Sequence, residues 1–227
     1  MSIKIVEKYT YAEFEAITAD NGVRHYATPD GYHLPSVTTI LSATKDMSGL
    51  DAWRQRIGNE QADKEIRDAI NVGNLLHEYL ERHVLGMEQR KGGNLIHAMV
   101  RQMAASVINR GLNKVDEVWG VEIPLYFPQA YAGRSDLIGV YEGKPAIMDF
   151  KNAKKIKKRE WIEDYFMQGA AYALAHNQLY ETHIRQVVIF MASRDMKFET
   201  FVVEGEEFDH YAAEWINRLA QYMEAAE

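Results

Sequence analysis

The chain has 227 residues, 47% of them hydrophobic, with 26 basic against 33 acidic side chains for a net charge of −7. That is enough apolar chain for one well-filled core, and the absence of cysteine excludes disulfides, thiolate zinc sites and cysteine nucleophiles. No apolar run approaches the roughly 20 residues a membrane span requires.

In chain order, residues 4–34 read as mixed, with turn signals at Asn21-Gly22 and Pro29-Asp30-Gly31 and short extended pieces such as His25 to Ala27. Pro35-Ser36-Val37-Thr38-Thr39-Ile40-Leu41 opens a helix with Ser36 as its N-cap. Helical spacing of apolar residues then predicts three helices, over Leu50 to Ala69, Val72 to Leu85 and Asn94 to Arg110. The period changes at Val118 to Phe127, where Trp119, Val121, Ile123, Leu125 and Phe127 fall on one face. Glu122 falls on the other, with Val118, Gly120 and Tyr126. Ala132 to Val140 and Ala146 to Lys151 form the next two strands, turning at Glu142-Gly143-Lys144. A helix over Glu160 to Tyr180, strands over Ile184 to Ala192 and Phe198 to Val203 with Arg194-Asp195 in their turn, and a helix over Glu206 to Ala226 complete the chain. This order predicts an α/β fold with a mixed central sheet flanked by helices. Residues 1–227 are expected to form one domain, mainly helical over 1–115 and α/β over 116–227.

The chemistry concentrates in the hairpin Gly133-Arg-Ser-Asp136 to Asp149-Phe150-Lys151. Asp149 and Lys151 share a strand face with Ile147, and Asp136 meets Asp149 if the hairpin register allows it. Two carboxylates suit Mg²⁺ beside a phosphodiester, with the Phe150 carbonyl as a further oxygen and Lys151 steering the attacking water. His77 lies one helical turn after Gly73, whose missing side chain lets that helix approach another backbone. Glu78 and Glu81 are expected to face solvent. The segment His77-Glu78-Tyr79-Leu80-Glu81 ends in Glu and so is not the His-Glu-x-x-His of a zinc protease. Gln168 and Tyr172 form an i, i+4 pair framed by Gly169, Ala170 and Ala171, a pattern for close packing against the active strands.

Lys151, Lys154, Lys155, Lys157, Lys158 and Arg159 make a run without an acid, directly behind Asp-x-Lys. In a chain otherwise strongly acidic, this marks a basic mouth for a polyanion. Trp53, Tyr79, Trp161, Tyr165 and Phe166 are aromatics available to stack on unpaired bases, which favours single-stranded DNA over intact duplex. The stretch from His25 to Pro35 is a candidate lid over a threaded strand.

The ordered set Gly73-x-x-x-His77, Gly133-x-x-Asp136, Asp149-Phe150-Lys151 and Gln168-x-x-x-Tyr172 resembles the RecB-like branch of the PD-(D/E)xK nuclease superfamily. Within it, the chain looks most like the mitochondrial genome maintenance exonuclease group and its bacteriophage relatives, whose opening Pro35-Ser36-Val37-Thr38 also resembles. The resemblance implies a restriction-endonuclease-like core and an Mg²⁺- or Mn²⁺-dependent deoxyribonuclease. His77, Asp136 and Asp149 would hold the metal with the Phe150 carbonyl, Lys151 would position the water, and Glu122 would serve a second metal or the water. Gln168, Tyr172, Ser36, Thr38 and the basic run Lys154, Lys155, Lys157, Lys158 and Arg159 would contact nucleic acid. Asn152 stands where such enzymes usually show Thr. No Gly-x-x-x-x-Gly-Lys motif is present, so any helicase would be a separate chain. The implied role is end processing in replication or recombination of a phage or bacterial genome, beside a separate helicase, recombinase or single-strand-binding protein. The alternatives are an endonuclease of the same fold and a non-catalytic nucleic-acid-binding module. Met1 to Thr10 lacks a signal-peptide core and is too acidic and Arg-poor for a mitochondrial presequence. The expected location is therefore the cytoplasm, that of the host for a viral protein.

Overall fold

A computed structural model describes residues 3–18, 24–90 and 92–225. Two sheets organise it. Strands β1 (Ala16–Thr18), β2 (Arg24–Ala27) and β3 (His33–Pro35) form a small antiparallel sheet. The turn expected at Asn21-Gly22 lies outside the described residues. Helices α1 (Val37–Ala43), α2 (Ser48–Ile57), α3 (Asn59–Val84) and α4 (Leu95–Arg110) follow. The main sheet has β4 (Val115–Phe127), β5 (Tyr131–Tyr141), β6 (Lys144–Ala153), β7 (Gln186–Ser193) and β8 (Phe198–Glu204) in spatial order of sequence. Helix α5 (Glu163–Tyr180) connects β6 to β7, and α6 (Glu206–Glu224) follows β8. The pair β6–β7 is parallel and the rest antiparallel, because only the α5 crossover returns the chain in the same direction. The fold is the expected mixed α/β sheet between helices.

Both faces of this sheet are covered. Ile147, Val187, Ile189 and Val203 pack with α1, α5 and α6 on one side, where Trp215 and Phe166 are fully buried. Met148, Phe150, Val188 and Phe190 pack with Leu76, Leu80, Val100 and Met103 of α3 and α4 on the other. The period-2 alternation of Ile147 to Lys151 is therefore realised as read. The β5–β6 turn places both Glu142 (φ 46) and Gly143 (φ 82) in the left-handed region, the two-residue geometry that matches strand twist.

Several boundaries differ from those read in the sequence. The break predicted between Ala69 and Val72 does not exist, and α3 runs unbroken through it. The helix instead starts after Gly58, whose φ of 85 and ψ of 148 are open essentially to glycine alone. Val72 and Gly73 are buried, so tertiary packing carries α3 across this stretch. The helix predicted from Glu160 begins with a 3₁₀ turn over Arg159–Trp161, and α5 proper starts at Glu163. Strand β4 begins at Val115 and carries register shifts at Val115/Glu117 and Val118/Gly120. In consequence Val121 packs with the α3–α4 side, while Trp119 and Leu125 pack with the α5 side. The final helix is described to Glu224, and its expected end at Ala226 lies outside the described residues.

Candidate active site

The site exists because β5 and β6 part company. Their pairing runs from Tyr141↔Lys144 to Leu137↔Met148 and then stops, while β6 stays paired with β7 through Ala153↔Ser193. Residues 149–153 thus have one edge free of β5. Along the same upper half of β5, the chain at Ser36 takes the vacated place, bridging to Ala132 in parallel. Between the two lies a cleft of about 770 Å³.

Asp136 sits at the fork, and its Oδ2 accepts the Phe150 N–H at 2.8 Å. A side-chain carboxylate therefore satisfies a strand N–H that the parted β5 backbone does not reach. The same Oδ2 lies 3.4 Å from Nδ1 of His77, delivered by α3. Asp136 and Asp149 each lie one residue beyond the last pair, Leu137↔Met148, and are close enough for the charge of Asp136 to act on Asp149, so the register left open by the sequence brings them together.

The fork also disturbs the strand alternation. Tyr131 and Gly133 face α5, yet so does Ile138, five residues beyond Gly133, so the faces change phase around Asp136. Its neighbour across the ladder, Glu122, has φ 53, a strained state for a non-glycine residue in mid-strand. His77, Glu122 and Asp136 each offer a ligand atom, and these atoms all lie within 4.8 Å of one another. Glu122, a secondary candidate in the sequence, thereby joins the central group. Asp149 is held by the Lys151 ammonium, with Oδ2 at 2.5 Å from Nζ.

Lys151 is fixed from α5. Its Nζ donates to Oε1 of Gln168 at 3.2 Å, and Nε2 of Gln168 donates to the Tyr172 hydroxyl at 3.2 Å. Gly133 makes room for this relay, because a Cβ there would meet Cε1 of Tyr172 at 2.5 Å. Gly73 lets α3 pass close to Asn152, where a Cβ would lie 2.7 Å from Nδ2. The close approach is to a side chain rather than to the backbone expected. Asn152 in turn donates to the Ala69 carbonyl at 3.2 Å, tying β6 to α3. The Phe150 ring packs edge-on to His77 and stacks on Phe190.

The electrostatics describe crowded buried carboxylates: burial acts against a charge on His77, but Asp136 and Asp149 outweigh it and raise the imidazole to about 9. Burial pushes the Asp149 carboxyl up to about 6, the neighbouring Asp136 adds to this, and Lys151 opposes it. Burial likewise pushes Glu122 up to about 7, with Asp136 and Glu81 raising it further and His77 opposing. Burial acts against the charge on Asp136 too, yet His77, Lys151 and the Phe150 N–H outweigh it and hold the carboxyl below its usual range. Asp149 Oδ2 is buried, with the Lys151 ammonium as its close polar neighbour. Dry carboxylates that repel one another, joined by an imidazole, form an oxygen-rich donor set that fits a divalent cation.

The cleft also receives residues not expected there. Glu78 and Glu81 line it rather than facing open solvent, Glu81 one turn beyond His77, a placement that i, i+4 spacing alone would have indicated. Arg24, Tyr26 and Arg134 line it as well. Arg134 sits inside Gly133-x-x-Asp136, and only the fold turns it toward the site. The region from His25 to Pro35 is not a lid but a wall, because Tyr26 and Leu34 are buried with Ala132 of β5. Ser36 and Thr38 both line the cleft, though the Ser36 hydroxyl caps α1 by accepting the Thr39 N–H at 3.0 Å.

The basic run divides in space. Lys157 lines the cleft and donates to the Tyr165 hydroxyl at 3.0 Å, and Lys155 is exposed. Lys154 pairs with Glu65 at 2.9 Å and Lys158 with Glu160 at 3.5 Å. Arg159 is a structural clamp, reaching both carboxylate oxygens of Glu207 and the Val202 carbonyl. Of the aromatics, Tyr79 and Phe166 are buried in the core and closed to bases. Tyr165 lines the cleft, and Trp161 is 65% exposed beside it in sequence. No described helix is long and apolar enough to cross a membrane.

A mixed sheet between helices, with Asp136 and Asp149-x-Lys151 at its forked strands and His77 on the helix beside them, is the arrangement the described residues form. The chain is similar to "Mitochondrial genome maintenance exonuclease 1" of Homo sapiens, at 24% identity over 205 residues, and of Mus musculus, at 25% over 203 residues. Each alignment covers 84% of this chain, but the chain spans only 58% and 59% of those relatives. It shares its fold with the crystal structure of a "Putative exonuclease" from Eubacterium rectale, with a TM-score of 0.51 and 15% identity over 70% of this chain and 65% of that one. No protein-family model matches the chain.

Proposed function

We propose that this protein is a divalent-metal-dependent DNA exonuclease of the RecB-like branch, acting on single-stranded ends. The observation that carries this reading is the convergence of His77, Glu122 and Asp136 beside the Asp149–Lys151 pair at the β5–β6 fork. Similarity to exonuclease-named relatives supports it.

His77, Glu122, Asp136 and Asp149 would hold the ion, and the Phe150 carbonyl is a further oxygen available on β6. Bound Mg²⁺ or Mn²⁺ would supply Lewis acidity to a phosphoryl oxygen and acidify a water. Lys151, braced by Gln168 and Tyr172, presents an ammonium that orients the attacking water or a phosphate oxygen. Lys157 grips the backbone, while Tyr165 and Trp161 offer faces for unpaired bases. Unwinding would fall to a separate chain, and the work would be end processing in replication or recombination in the cytoplasm.

The test is digestion of end-labelled linear and covalently closed circular single-stranded DNA with Mg²⁺ or Mn²⁺. Linear DNA should be degraded and the circle spared, and Asp136→Asn and Lys151→Ala should each lose activity by at least about 10²-fold. Cutting of the circle would identify an endonuclease. Binding without cleavage in either metal would identify a non-catalytic module.

A further inference from the structure

The cleft has two unlike walls. One, from β6, the segment after it and α5, carries Lys151, Lys157, Tyr165 and Gln168, and the acids form the floor. The other, from β2 and β5, carries Arg24, Tyr26 and Arg134. Among the described residues, Arg24 and Arg134 are the arginines that line this cleft, and neither forms an ion pair with a carboxylate.

We propose that Arg24 and Arg134 form a phosphate-binding subsite, gripping a nucleic-acid backbone on the side of the scissile bond opposite Lys157. The inference rests on the nuclease reading above and adds where the strand is held. Arg134 is anchored at one end, its Nη1 donating to the Glu122 carbonyl at 2.7 Å. The rest of the guanidinium remains available to the cleft. Arg24 and Arg134 both lie near the buried Tyr26 phenol, where their charges oppose the upward push of its burial. A planar guanidinium with paired N–H groups matches two phosphate oxygens, which the Ser36 hydroxyl, committed to its helix cap, cannot do.

Electrostatics supplies the reason for such a wall. Glu81, Glu122, Asp136 and Asp149 make the floor repel a polyanion. Cations on one side alone would draw the strand toward α5. With guanidiniums opposite, phosphates on both flanks are fixed, and the phosphodiester between them is centred above the acids.

The experiment uses Arg24→Gln, Arg134→Gln, their double variant and Arg134→Lys as a charge-retaining control for folding. Binding of a fluorescein-labelled single-stranded oligonucleotide is followed by anisotropy in EDTA across a KCl series. Each Gln substitution should flatten the log–log salt slope by about 0.7, and the Lys variant should largely keep the wild-type slope. Cleavage is then measured on oligonucleotides carrying one neutral methylphosphonate linkage at successive positions. At one linkage flanking the cut, neutralisation should raise the wild-type KM by about tenfold and leave kcat within about twofold. In the double variant the same neutralisation should have almost no effect. Unchanged salt slopes, or equal penalties in wild type and double variant at every linkage, would overturn the subsite and leave the nuclease reading standing. Arginine-dependent binding by a wild type that cleaves nothing in Mg²⁺ or Mn²⁺ would do the reverse.

Discussion

Replacing Gly133 with Ala tests whether the Lys151 relay depends on space rather than on chemistry. The added Cβ would lie 2.5 Å from Cε1, 2.9 Å from the hydroxyl and 3.1 Å from Cζ of Tyr172. Ordinary carbon–carbon contact begins near 3.5 Å, so ring or strand must move by roughly 1 Å. The Tyr172 ring is buried among Ala170, Ala171 and the β5 strand, with little room to withdraw. Overpacking of this kind costs about 1–3 kcal/mol, readable as a lowered urea midpoint with unchanged m-value. Displacing Tyr172 also shifts Gln168, and with it the ammonium of Lys151. A misplacement of about 1 Å in such a group costs on the order of 10²-fold in kcat, with KM changed far less. Adding Tyr172→Leu should restore stability by vacating the ring's space, but should not restore kcat, because the hydroxyl is gone. A Gly133→Ala protein with wild-type stability and kcat within twofold would refute the argument.

Three further outcomes follow from other parts of the molecule. His176 is buried with Tyr9, Tyr11 and Tyr180 around it and Lys8 nearby. Thr182 donates to Asn177, so His176 Nδ1 donates to the Thr182 hydroxyl at 2.8 Å and Nε2 accepts from Tyr11 at 3.2 Å. Burial and Lys8 push this imidazole down to about 4. The unfolded chain therefore binds the extra proton first, and about 3 kcal/mol of stability is present above pH 6.5 and lost as pH falls toward 4. Urea titrations across that range should show it, and His176→Asn should flatten that part of the profile. Arg159→Ala should lower the melting temperature through loss of the Glu207 and Val202 contacts, while leaving the salt slope of DNA binding unchanged. Trp161→Ala should leave stability within about 0.5 kcal/mol. If its exposed ring stacks on a base, the same change should weaken single-stranded DNA binding by about 1–3 kcal/mol, seen as lost tryptophan quenching.

Much of the fold was legible because local rules write it. The period-2 run from Ile147 to Lys151 assigned Asp149 and Lys151 to one face, and the hairpin at Glu142-Gly143 announced itself by its glycine. Ser36 caps α1 as its residue type predicts. The limits of α3 do not follow from local pattern, because its start is set by the backbone conformation of Gly58 and its interior by burial of Val72 and Gly73. The basic run read as a single mouth because its acidic partners, Glu65 and Glu207, lie far away in the chain.

The sequence by itself determined the chemical inventory: an Asp-x-Lys strand, an upstream Asp, a helical His and a Gln–Tyr pair, in an order that allows one site. Tertiary structure decided how that inventory is arranged. The forking of β5 from β6 made Asp136 the acceptor for the Phe150 N–H, brought Glu122 into its group and opened the cleft to Glu81, Arg24 and Arg134. Side-chain facing follows from local backbone periodicity, which one strand displays on its own. Where two strands part, and which distant charges then meet, depends on pairing between segments far apart in the chain, and no local pattern carries that information.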